Sequence, residues 1–302
     1  MAEATMARKA ARPGYQRYFD VNGWFFVCSA IALIGVFMAY PIVKSLWLSL
    51  HSGQGSVMEF VGVGNIERLF SDPIFMIALT NTFIFLIVQV PVMIVLALIM
   101  ASCLNMPNLK FRGLLRTAVF LPCVTSLVAY SVLFKSMFSY DGLINSLLLK
   151  AGLIEQAIPF LSDPFWAKVV VILALTWRWT GYNMIFYLAA MQNIDKSIYE
   201  AARIDGISAT RRFISITVPM LKPVILFTTV TSTIGTLQLF DEPMNITQGL
   251  ISDVTLTLSL YIYKLSFRFV PNFGYAATVS YVIVVLVAIL ALIQFYAARE
   301  RD

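Results

Sequence analysis

The sequence predicts an all-α membrane protein with about six transmembrane helices, and three observations lead there. Hydrophobic residue types make up 59% of the 302 residues and charged types only 13%, whereas a soluble domain carries about 25% charged residues. Six stretches approach the roughly 20 mainly apolar residues that a spanning helix needs. The basic residues gather on alternate loops, as they do in multi-spanning proteins.

The predicted spans are residues 24–47, 75–104, 114–134, 165–191, 223–240 and 273–296. Arg178 interrupts the fourth, and the fifth is rich in Thr and Ser. The first is too long for the apolar region of a signal peptide and shows no small-residue cleavage site, so it is read as a retained helix. Arg8, Lys9, Arg12 and Arg17 precede it. With the N-terminus inside, the inner segments also hold Lys110, Arg112, Arg116, Lys196, Arg203, Arg211, Arg212, Lys222, Arg299 and Arg301. Both termini are therefore expected in the cytoplasm of a cell with this protein in its inner membrane.

The two longer outer loops are expected to carry short interfacial helices, one near Glu67 to Phe70 and one amphipathic over 146–153. No internal repeat or linker divides the chain, so residues 1–302 form one membrane domain with an N-terminal tail of about 1–22. Its formal charge of +6 bears on orientation in lipid, not on nucleic acid. Cys28, Cys103 and Cys123 have neither disulfide nor zinc spacing and are read as small buried hydrophobes.

Several chemistries are missing. No G-x-x-x-x-G-K-[ST] loop is present to cradle phosphates. The single histidine, His51, leaves no H-E-x-x-H metal site and is read as a solvated loop residue. No G-x-S-x-G elbow occurs. The chain is expected to be no enzyme, to bind no metal and to carry no cofactor of its own.

The segment between spans four and five is the most informative. Ile198, Ala201 and Ala202 fall at i, i+3 and i+4, on one helical face, and the two alanines keep that face flat. Gly206 supplies a break, and Ser208 or Thr210 can cap a second short helix. Ile214, Thr217, Val218 and Leu221 form its apolar stripe, and Pro219 and Pro223 constrain entry into span five. This helix–turn–helix is either an amphipathic connector or a docking surface.

The same segment resembles the EAA signature of ABC-importer permeases: E-A-A, three residues, G, nine residues, I, one residue, L-P. Glu200-Ala201-Ala202, Gly206, Ile216 and Pro219 stand at those spacings, with Val218 in place of Leu. Tyr40-Pro41-Ile42, Phe120-Leu121-Pro122, Gly142-Leu143-Ile144-Asn145 and Trp179-Thr180-Gly181-Tyr182 resemble the maltose and glycerol-3-phosphate permease subfamily. The resemblance implies a type I importer permease fold that pairs with a second, paralogous permease on an ATPase dimer. In that arrangement ATP and Mg are bound by the ATPase, and an extracytoplasmic sugar-binding protein delivers solute. Glu200, Ala201, Ala202 and Gly206 in the loop of about 192–222 would form the ATPase-coupling contact, and the permease pair would alternate access by rocking.

Polar groups inside spans are costly and usually face a bundle interior. Three clusters stand out. Arg178, Thr180 and Gly181, flanked by Trp177, Trp179 and Tyr182, form either a wall of the sugar pathway, with Gly181 as a local break, or a structural anchor. Thr233, Thr236, Gln238 and Asp241, with Glu242, form a second candidate wall, although the two acids also fit an ordinary outer loop. Thr125 and Ser126 beside Pro122 are read as bonding back to their own helix. A carrier powered by an ion gradient, with Arg178 and Asp241 or Glu242 as its coupling pair, is the alternative function.

Overall fold

The computed structural model describes residues 13–54, 57–106, 109–247 and 253–299. Among these, four helices are long and apolar enough to cross a membrane, or six if each of two bent helix pairs counts as one span. Arg8, Lys9, Arg12 and Arg301, which contribute to the expected orientation, lie outside the described residues.

The first span begins as α1 (Pro13–Ile34), passes through a π-helical turn at Gly35–Ala39 and continues as α2 (Tyr40–Ser49). The π turn has a chemical cause. Pro41 lacks an N–H and its ring crowds the carbonyl four residues back. Tyr40 N–H instead bonds Gly35 O, five residues back, and the ladder re-phases. The apolar stretch of this span is unburied by the rest of the chain, and Cys28 is exposed on it.

An antiparallel hairpin follows, β1 (His51–Gln54) and β2 (Val57–Phe60), with His51 opposite Phe60. A short helix α3 (Gly64–Ser71) comes next, near the predicted position. Its buried Asn65 donates to Ser49 O at 2.8 Å and His51 O at 2.9 Å. His51 is not a free loop residue: it is half-buried, its ring lies 3.9 Å from that of Trp47, and its Nδ1 is 2.7 Å from Trp47 O.

Helix α4 (Pro73–Leu104) is the longest. Proline at its first position suits the unpaired N–H groups of a helix start. Asp72 Oδ1 caps it, accepting from Ile74 N at 2.9 Å and Phe75 N at 3.3 Å. Asp72 Oδ2 accepts from the hydroxyls of Tyr261 at 2.5 Å and Tyr275 at 2.6 Å. Burial pushes this carboxyl up, but the two tyrosine bonds and the two backbone bonds together hold it below its ordinary value.

The predicted third span is broken. Helices α5 (Arg112–Val124) and α6 (Leu127–Met137) meet at 97°. Thr125 and Ser126 adopt extended backbone between them, and Thr125 Oγ1 donates back to Pro122 O at 2.7 Å. Helix α7 (Leu143–Lys150) lies in the following loop, three residues earlier than predicted. Helix α8 (Pro164–Gln192) is continuous, so Gly181 makes no break. Instead, a Cβ at Gly181 would lie 2.0 Å from Val119 O, because α5 crosses α8 there backbone to backbone. Small residues at such crossings let membrane helices approach closely.

The loop after α8 forms α9 (Lys196–Ile204), α10 (Ala209–Arg212), a π turn at Phe213–Thr217 and α11 (Val218–Met220). The chain then turns by 71° into α12 (Lys222–Leu237). That span ends at Leu237, three residues before its predicted limit, with Gln238 as its C-cap. Beyond it come α13 (Asp241–Asn245) and α14 (Leu258–Tyr263), which periodicity did not reveal. Helix α13 packs on α6 and α8, and the entry into α14 is pinned to α4: Asn81 Nδ2 donates to Asp253 O at 3.1 Å and Leu256 O at 3.0 Å, and Leu258 N donates to Thr82 Oγ1 at 3.1 Å. Helix α15 (Phe273–Ala298) closes the bundle and packs on α2. A Cβ at its Gly274 would lie 1.9 Å from His51 O, so the hairpin rests directly on its backbone.

The core centres on α4. One cluster joins Phe75, Leu86 and Val90 to Leu258, Tyr261 and Tyr275. Another joins Ala97 and Ala101 to Met184, Tyr187 and Leu221. The cysteines depart from expectation: Cys28 and Cys103 are exposed and Cys123 is half-buried, all unpaired. Burial in lipid satisfies a small apolar thiol as well as burial in protein does.

Candidate functional site

A cavity of about 280 Å³ opens where α12 ends. Its walls come from α4 (Gln89, Met93), α8 (Trp179, Tyr182), α12 (Thr236) and the turn into α13 (Gln238, Asp241, Glu242). The break at Gln238 places the polar residues that follow it against the bundle, not in a free loop. Gln89 is 2% exposed. Its Oε1 accepts from Thr236 Oγ1 at 3.3 Å, and among the described residues its Nε2 has only the Met93 sulfur, at 3.3 Å. Asn183 Nδ2 reaches the same sulfur at 3.3 Å. Asn183 Nδ2 also donates to Trp179 O at 3.0 Å; a thioether is a weak acceptor, so the Gln89 amide donor remains available to a better partner. Trp179 and Tyr182 stand edge to face, 5.6 Å apart.

Three predicted pathway residues, Thr236, Gln238 and Asp241, line this cavity. Arg178, Thr180 and Gly181 do not. Arg178 is 6% exposed and turned the other way. Its Nη1 donates to Thr125 O at 3.0 Å and Pro122 O at 3.5 Å, and its Nη2 to Cys123 O at 3.3 Å. These carbonyls lie at the break between α5 and α6, where helix carbonyls lose backbone partners, and a cation suits the negative end of a helix. The guanidinium also lies 4.8 Å from the centre of the Tyr130 ring, whose hydroxyl donates to Glu242. Arg178 is thus a brace for a broken span. Thr180 is buried with no partner for its hydroxyl among the described residues, and Gly181 is the close-packing point already described. Thr233 faces α15, accepting from Gln294 Nε2 at 2.7 Å. Trp177 packs on Phe134, ring centroids 5.6 Å apart, away from the cavity.

The loop after α8 is a built turn. Asp195 caps α9, accepting from Ser197 N at 2.9 Å. Gly206 adopts φ +74°. Gly206 N donates to Arg203 O and Ile207 N to Ala202 O, each at 3.0 Å, the paired bonds of a Schellman ending. Ser208 Oγ, one of the two predicted caps, accepts from Arg211 N at 3.4 Å. Tyr199 Oη and Thr217 Oγ1, 3.1 Å apart, tie the two limbs together. Glu200, Ala201 and Gly206 are exposed. Ala202 is only 4% exposed: it faces into the chain, so the alanine pair does not form one open surface. Ile204, 87% exposed, stands out instead.

Residues 93–302, from the cavity wall through the α9 loop to the end of the chain, match the family described as "Binding-protein-dependent transport system inner membrane component". The chain belongs to that family. This inner membrane component is 65% identical over 293 residues to the lactose transport system permease protein LacF of Rhizobium radiobacter, covering 96% of this chain and 98% of the relative. It is 32% identical over 260 residues to the arabinooligosaccharides transport system permease protein AraP of Halalkalibacterium halodurans, covering 85% and 81%. Its fold matches a chain of a bacterial alginate ABC transporter, solved in complex with an alginate pentasaccharide-bound periplasmic protein. The TM-score is 0.84 at 22% identity, with 95% of this chain and 97% of that one covered.

The sequence reading missed Gln89 and Met93 as cavity walls; Glu242, named beside Asp241, does line the cavity. Gln89 carried a signal: it is an isolated amide in a long apolar run, two residues before Pro91.

Proposed function

We propose that this chain is a permease subunit of an ATP-driven carbohydrate importer and forms half of its translocation pathway. The observation that carries the proposal is the cavity: uncharged hydrogen-bonding side chains, Gln89, Thr236 and Gln238, line it together with Trp179 and Tyr182. Amides and hydroxyls match sugar hydroxyls, and aromatic faces match the apolar faces of pyranose rings. Lactose is the first candidate solute, given the 65% identity to a lactose permease. In this reading a second permease completes the pathway and both termini are cytoplasmic. An external binding protein delivers solute, and a separate ATPase dimer binds ATP and Mg. The exposed Glu200, Ala201 and Gly206 contact that ATPase, with Ala202 shaping the helix from behind. The Schellman ending makes α9 rigid enough to transmit a push. The ion-coupled alternative gains no support from membership of a binding-protein-dependent family.

The test is uptake of radiolabelled lactose by cells expressing the whole importer. Thr236→Leu and Gln238→Leu are expected to reduce uptake at least fivefold while the complex still assembles. Wild-type uptake in both variants would place the solute elsewhere.

A further inference from the structure

We infer that Asp241 is a specificity-determining residue that admits neutral sugars and turns away sugar acids. The inference rests on the carbohydrate-permease reading and adds the charge class of the solute to it. Two carboxylates, Asp241 and Glu242, line the cavity, and none of the lining residues is Lys, Arg or His. The two acids are not equivalent. Glu242 is 3% exposed and accepts a hydrogen bond from Tyr130. Arg178 lies over the same Tyr130 ring, 4.8 Å from its centre, so a buried cation stands near this carboxylate. That guanidinium is committed to the carbonyls of Thr125 and Cys123 and does not border the cavity.

Asp241 has no such partner. It is half-buried, and among the described residues its carboxylate makes no hydrogen bond or ion pair. Only its backbone carbonyl is engaged, accepting from Asn245 Nδ2 at 2.7 Å. The cavity therefore carries one uncompensated negative charge beside neutral amides and hydroxyls. A carboxylate accepts hydrogen bonds from two neighbouring sugar hydroxyls, which suits a neutral pyranose. A uronate brings its own carboxylate next to that of Asp241 in the same partly dry space, where like charges several Å apart repel strongly. Discrimination on the order of tenfold or more follows.

The experiment is equilibrium dialysis of the assembled importer in lipid nanodiscs against radiolabelled lactose and against galacturonosyl-glucose, its uronic acid counterpart. The expected result is binding of lactose with at least tenfold weaker binding of the acid. The Asp241→Asn importer is expected to narrow that ratio to threefold or less, and Asp241→Glu to keep it. Equal binding of both sugars by the wild type, or an unchanged ratio in Asp241→Asn, overturns the filter and leaves the carbohydrate reading standing. Binding of neither sugar removes the carbohydrate reading and the filter with it.

Discussion

Replacing Arg178 with leucine tests whether this arginine braces a broken helix or touches solute. Arg178 supplies hydrogen bonds to Pro122 O, Cys123 O and Thr125 O. Side-chain hydrogen bonds inside membrane proteins are worth about 0.6 kcal/mol on average and up to about 1.7. Three of them place the loss at roughly 2–5 kcal/mol. Insertion should not suffer, since a mid-span arginine costs about 2.5–3.5 kcal/mol on translocon scales and leucine removes that cost. Arg178→Leu should therefore reach the membrane at wild-type levels yet lower the Tm of the purified importer by several degrees. Arg178→Lys, which keeps the charge but fewer donors, should fall between. The assay is thermal melting followed by size-exclusion, alongside a count of membrane-inserted protein. An Arg178→Leu importer with wild-type Tm and abolished uptake would refute the brace and return Arg178 to the pathway.

Two further predictions follow from the α9 loop and from the Asp72 node. Ala201→Arg, on the exposed face of α9, should release the ATPase from the membrane while the permease stays folded; Ala202→Arg, buried within the chain, should also destabilise the permease itself. Membrane fractionation and melting separate the two effects, and an Ala201→Arg strain with membrane-bound ATPase and normal uptake would reduce the loop to a connector. Asp72 is held below the ordinary carboxyl value in the folded chain. Its contribution to stability is therefore fully present above about pH 4 and is lost as pH falls through the folded value. The difference in Tm between wild type and Asp72→Asn should shrink as pH drops from 5 toward 3, and a constant difference would contradict the assigned role.

Long uniform spans were legible in the sequence because length and apolar content alone define them: α4, α8 and α15 each lie within a few residues of prediction. The break at Thr125 and Ser126 was not, because an apolar average ignores backbone direction. The early end of α12 escaped for a related reason: Leu239 and Phe240 extend the apolar run past the point where the helix stops. Helices α13 and α14 read as loop because their packing partners are far away in sequence: α6 and α8 for the first, Asn81 and Thr82 of α4 for the second. Within the loop after α8, the glycine turn and the Ser208 cap were readable from local chemistry. The inward face of Ala202 was not, since it depends on how the two limbs fold together. Arg178 was flagged as costly, but its partners are backbone carbonyls, which no sequence pattern marks. Thr236, Gln238 and Asp241 were legible as polar groups in and after a span, whereas Gln89 was masked by its apolar neighbours.

The most direct test of the central claim is lactose uptake into proteoliposomes that contain the complete importer and its binding protein, with the energy source varied. Uptake should require ATP on the side of the ATPase and should persist when ionophores collapse proton and sodium gradients. Gradient-driven uptake by this chain alone, indifferent to ATP and to the binding protein, would contradict it.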